Sequence, residues 1–170
     1  MGKISITLLM QLSSLLACVT AATQVKHNVV KLHAYVQETI AGNIERDSAG
    51  NEASGVDVQH LLFAETTGKY LPQWNIVYTN KGVFAVQPSE IKEGLFTPGK
   101  LKSGKAASPI RVKRGNRLWQ LTLIPMKARI PAGVAELLKK NDVVVITEWN
   151  NEQFTHTIAE EIELEPVFYK

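Results

Sequence analysis

The feature that most limits the fold of this chain is how its apolar residues are grouped: short runs, several alternating with period two, each closed by turn residues. Residues 30–40 form the first run and residues 56–64 (VDVQHLLFA) the second. Residues 70–79 form the third, where Pro72 confines a strand to the part after it. Residues 83–87 follow a turn at Asn80-Lys81-Gly82. Residues 110–114 and 118–124 flank Gly115-Asn116 and predict a hairpin, and residues 143–149 and 152–158 flank Asn150-Asn151 in the same way. At the C-terminal end, residues 161–168 place Ile162 and Leu164 in alternation with glutamates, as on a strand with one wet face. Period two is the repeat of a strand face, and a helix is predicted only near 131–140, where Pro131 suits the first helical position and Val134, Leu137 and Leu138 share a side. Many short strands with at most one short helix specify an all-β domain, an antiparallel β-sandwich.

Three stretches are predicted loops: 41–55, 90–105 and 125–133. The second, with Gly94, Pro98, Gly99 and Gly104 among lysines, reads as mobile. No internal repeat and no shift of composition divides the chain, so one domain is expected.

The first 22 residues are set apart. Lys3 is followed by an apolar stretch from Ile4 to Ala17, and Val19-Thr20-Ala21-Ala22 offers small residues for cleavage, the pattern of a secretory signal peptide. At about 14 residues the stretch falls short of the roughly 20 that span a bilayer. Export is therefore expected. Cys18, the single cysteine, follows Leu15-Leu16-Ala17 in a way that offers lipid anchoring as an alternative. Cleavage after Ala22 removes that cysteine, so the exported domain is stabilised by packing or by assembly rather than by disulfides.

The catalytic inventory is thin. His27, His33, His60 and His156 form no helical pair and no compact cluster with metal-site spacing. No G-x-S-x-G signature and no glycine-rich phosphate loop is present. Glu160, Glu161, Glu163 and Glu165 are explained as the wet side of a strand rather than as an acid/base pair. The expectation is a protein that is not an enzyme and holds no metal or cofactor.

Charge is distributed unevenly. Lys100, Lys102, Lys105, Arg111, Lys113, Arg114 and Arg117 follow one another without an acid, and Glu148, Glu152, Glu160, Glu161, Glu163 and Glu165 without a base. Lys113, Arg114 and Arg117 are the candidates for contact with an acidic ligand, with Trp119 as a stacking group. In an exported protein a glycan or lipopolysaccharide fits better than nucleic acid. Two other readings stand beside it: cations that are merely solvated, and opposite poles that favour head-to-tail association.

Against this background residues 30–40 (VKLHAYVQETI) resemble the mature N-terminus of alpha-class chaperone-usher fimbrial subunits, the colonisation-factor-antigen type. Residues 56–86 are similar to that family's sequence of apolar strand, linker, aromatic strand, Thr-Asn turn and further apolar strand. Ser108-Pro109-Ile110-Arg111-Val112, with Gly115 and Leu118, resembles its next hairpin. The likeness covers roughly residues 30–121. The acidic stretch 160–165 and residues 125–149 depart from the family pattern.

The resemblance implies an immunoglobulin-like β-sandwich that lacks one strand. In it a neighbouring subunit's N-terminal extension fills the groove, after a periplasmic chaperone has held the subunit and an outer-membrane usher has exchanged it. Carried onto this chain, residues 1–22 are the signal peptide, 23–36 the donor-strand extension and 37–170 the pilin-like domain. Val30, Leu32, Ala34 and Val36 would face one side of the donated strand. The function implied is that of a pilus subunit at the cell surface contributing to adhesion, with host glycan among its partners and no nucleic acid. The alternative is a monomeric exported or lipid-anchored module that binds an acidic ligand.

Overall fold

The computed structural model describes residues 28–41, 56–68 and 71–169. The leader at 1–22 with Cys18, residues 23–27 of the predicted extension and most of the first predicted loop lie outside the described residues. The elements are β1 (Val29–Ala41), β2 (Val56–Thr67), β3 (Gln73–Thr79), β4 (Gly82–Ile91), β5 (Leu95–Phe96), β6 (Ile110–Arg111), β7 (Asn116–Met126), α1 (Ala132–Leu138), β8 (Val143–Trp149), β9 (Glu152–Ile158), β10 (Ile162–Glu163) and β11 (Val167–Tyr169). The domain is all-β with one short helix, as the run pattern predicts.

The strands join in the order β10-β1-β2-β7-β4-β3-β8-β9, with β11 also on β1, while β5 and β6 form a separate pair. Every ladder is antiparallel except those of β10 and β11, which run parallel to β1. The expected sandwich is thus realised as a single curled sheet. One apolar cluster explains the curl: it takes Val29 and Ala34 from β1, Leu62 and Ala64 from β2, Leu121 from β7 and Val143 and Val145 from β8. Val77 of β3, Val86 of β4 and Ile158 of β9 pack there too, and residues from seven neighbouring strands share one interior only if the sheet bends around it, which the right-handed strand twist favours.

The outer face is apolar as well. Leu61-Leu62-Phe63-Ala64 is a continuous run, so β2 directs large side chains to both faces. Phe63 joins Tyr35, Leu118, Ile110 and Leu164 in a second cluster, covered by Phe96, Leu101 and Val112. The 90–105 segment, predicted as a mobile loop, is therefore a layer held on the sheet by its apolar residues. A third cluster lies under α1, where Leu138 and Val134 pack on Tyr78, Val83 and Val144.

Two turns follow the sequence and one does not. Asn150 and Asn151, both at positive φ (53° and 62°), close the β8–β9 hairpin in the conformation that suits strand twist. The turn at residues 79–82 joins β3 to β4. The hairpin expected around Gly115-Asn116 does not form, because β6 pairs with β5 whereas β7 lies between β2 and β4. The reason is Glu65: buried on β2, its carboxylate accepts from the Lys113 backbone N–H and the Asn116 side-chain amide, which pulls the turn onto β2.

Trp119, expected as a stacking group, is instead interior, and its Nε1–H donates to Thr66 Oγ1 at 2.9 Å. Thr66→Val leaves that buried donor unsatisfied and is expected to cost about 1–3 kcal/mol in urea denaturation. Adding Trp119→Phe should cost less than the sum of the two single changes, because the orphaned N–H goes with it.

Candidate functional site

Residues 30–36 lie within β1, in the sheet of their own chain. β1 pairs with β2 over eleven register positions, and its opposite edge meets β10 at Tyr35 and Val36 and β11 at Thr39 to Ala41. Leu32 and Ala34 belong to the interior cluster. Val36 is half-buried, and its carbonyl accepts from the Leu164 N–H. Val30 does not share their side: an irregularity between Val29 and Lys31 puts Val29 inside and leaves Val30 46% exposed.

The open backbone lies on β2 instead. β2 and β7 pair from Leu62↔Leu121 to Thr67↔Asn116, and at the other end they part. Beyond the fork β2 stays on β1 as far as Val56↔Ile40, and β7 stays on β4 as far as Val83↔Met126. Among the described residues, positions 56–61 of β2 and 122–126 of β7 therefore have a strand on one side only. A cleft of about 410 Å³ lies between the limbs, lined in part by Val58, His60, Thr122, Leu123, Pro125 and Tyr169. Val56 (47%), Val58 (37%), Ile124 and Met126 are exposed along the limbs. Pro125 has no N–H to offer, so the β2 limb, which has no proline, is the better template for another strand.

A buried pair stands at the fork. His60 Nδ1 lies 2.9 and 3.0 Å from the two oxygens of Glu161, and the two side chains are 7% and 8% exposed. The His60 ring meets Phe84 edge-on at 5.8 Å. The Glu161 backbone N–H in turn donates to Asp142 Oδ2. His60 Nε2 is buried and has no partner among the described residues. The pair serves as a clasp that ties the start of the C-terminal segment to β2. Among the described residues no group of three or more His, Cys, Asp or Glu is arranged to hold a metal ion. No helix among them is long and apolar enough to cross a membrane.

Sequence gave no pointer to the fork or the clasp. His60 and Glu161 are 101 residues apart. The one local trace of the fork is that Val56 and Val58 alternate with polar residues like a covered strand face, yet stand exposed.

The structure does bring Lys113, Arg114 and Arg117 together. With Lys92 they line a cleft of about 480 Å³ between the end of β4 and the turn before β7. Arg117 Nη1 donates to both carboxylate oxygens of Glu90, at 3.1 and 3.2 Å. Lys113 and Arg114 are exposed. The acidic and basic stretches meet within the chain, through Lys102 and Glu163 at 2.9 Å. That carboxylate raises the Lys102 pKa, mainly through their hydrogen bond.

His33 lies on β1 in the same region. Burial holds its pKa below 6.5, helped by Lys31 and opposed by Glu65. The unfolded chain therefore binds a proton that the native chain resists, and stability falls as pH drops through the unfolded value. Thermal midpoints are expected to decline from about pH 7 to about pH 5.5, and His33→Gln should flatten part of that decline.

No protein-family model, curated protein or solved structure matches this chain.

Proposed function

We propose that the protein is a structural subunit of an exported surface assembly of the fimbrial kind, joined to a second copy by strand addition at the β2 limb, residues 56–61. The fork carries this reading. A strand edge six residues long, flanked by exposed Val56 and Val58 beside an open cleft, is what a sheet offers when another strand is to extend it. The likeness of residues 30–121 to fimbrial subunits supports the same class. On this reading a periplasmic chaperone and an outer-membrane usher are the assembly partners, because an open apolar edge needs cover before it meets its neighbour.

The part played by Val30, Leu32, Ala34 and Val36 changes accordingly. To be donated, β1 would have to give up eleven positions on β2 and the interior burial of Leu32 and Ala34. We assign β1 to its own sheet, where it holds the edge that accepts.

Val56→Lys with Val58→Lys places charge on that edge at two exposed positions, so the fold should persist while association is lost. Sedimentation velocity across a concentration series, with electron microscopy of concentrated samples, is expected to show assembly for the parent chain and monomer for the variant. A parent that stays monomeric throughout favours the monomeric binding module instead. Assembly unchanged by the two lysines rejects the β2 edge.

A further inference from the structure

From Gly94 to Ala135 the chain carries no acid, and the structure shows what that segment builds. Its apolar residues, Phe96, Leu101, Ala107, Ile110 and Val112, lie on the outer face of the β1–β2–β7 wall. Lys100, Lys105, Arg111, Lys113 and Arg114 are exposed on the same segment. The segment is thus a cationic skin over an apolar underside. Among the described residues, the side chains of Lys113 and Arg114 have no carboxylate partner.

The cleft at one end of this skin is held rigidly. Glu65, buried on β2, fixes the turn through the Lys113 N–H and the Asn116 amide. The Asn116 N–H closes the turn on the Lys113 carbonyl, and Gly115 takes the positive φ (90°) that the turn needs. Glu90 holds Arg117 in place on the opposite wall. Glu93 also lines the cleft, which leaves Lys92, Lys113 and Arg114 in excess over it. Cations carried on a backbone turn that a buried anchor fixes lose less freedom when a ligand binds than cations on a free loop.

We propose that this cleft and the adjoining skin bind a sulfated or carboxylated polysaccharide strand. A row of cations along one segment fits a polymer of repeated anions better than a single small anion. Single-stranded nucleic acid fits less well, because its binding relies on aromatic stacking. Trp119 is buried and bonded to Thr66, and Phe96 is drawn into the outer cluster. Among the described residues, the exposed aromatics Phe168 and Tyr169 lie instead on the strand beside β1. The proposal is independent of how subunits associate, since none of these cations lies on the fork.

Isothermal titration calorimetry of the purified protein with a heparin-derived octasaccharide tests it, with a neutral dextran fragment and an oligothymidine of similar length as comparisons. The octasaccharide should bind and the dextran should not. Lys113→Gln with Arg114→Gln should weaken binding on the order of tenfold and lower the slope of log affinity against log salt by about 1.5 to 2, as two released counterions require. Both positions are exposed, so an unchanged thermal midpoint shows that the fold is intact. Lys139→Gln, at the end of α1, should leave affinity unchanged. The proposal is overturned by absence of octasaccharide binding, by affinity indifferent to the double change, by equal weakening from Lys139→Gln, or by oligothymidine binding as tightly as the saccharide.

Discussion

The ladder between β1 and β2 is the interaction on which the rest of this structure depends. Its strands carry apolar side chains on both faces: Leu32, Ala34, Leu62 and Ala64 inward, Tyr35 and Phe63 outward. A sheet with two apolar faces is stable only if both are covered, since each large side chain left wet forgoes about 1.5–3 kcal/mol. The interior is covered by the sheet itself, which curls until β8 supplies Val143 and Val145. The exterior is covered by the long segment between β4 and β7, whose half-buried and buried apolar residues would otherwise have no reason to lie down.

The acidic C-terminal stretch has its place in the same logic. Once β1 is paired with β2, its other edge still holds backbone groups that need partners, and the chain returns to supply them. The Leu164 N–H donates to the Val36 carbonyl and the Glu165 N–H to the Lys100 carbonyl, while Leu164 itself is buried in the outer cluster. These bonds, with the His60–Glu161 clasp, do the anchoring. The Lys102–Glu163 pair is more than half exposed on both sides, so it adds little. The opposite charges that suggested head-to-tail association meet within one chain at this pair.

What the sequence made legible were features with a local cause. Period two marked the strands, Pro131 marked the start of α1, and two adjacent asparagines marked the β8–β9 turn. Features that depend on distant partners were hidden. One carboxylate, Glu65, decides that the turn at 113–116 docks on β2, and nothing near Gly115 in the sequence reveals it. Alternation alone made residues 30–36 look like a strand with one apolar side, because the bulge that turns Val30 outward leaves no mark on composition. The same limit applies to the fork, since where two strands part is set by their other neighbours, β1 and β4.

The open β2 limb and the cationic cleft lie toward opposite ends of β2. The fork occupies Val56 to Leu61, whereas Glu65, near the far end of the strand, anchors the cationic turn. At about 3.3 Å per residue, Val58 and Glu65 are separated by roughly 23 Å. A strand added at the fork therefore leaves the cationic cleft open. β2 then serves as a spacer: one end is an edge that can be extended by a neighbour, and the other anchors a turn whose cations face solvent. In an assembly built through the first end, the second is repeated in every subunit, and weak attraction to a polyanion gains by the repetition because each further contact is made within a complex already formed.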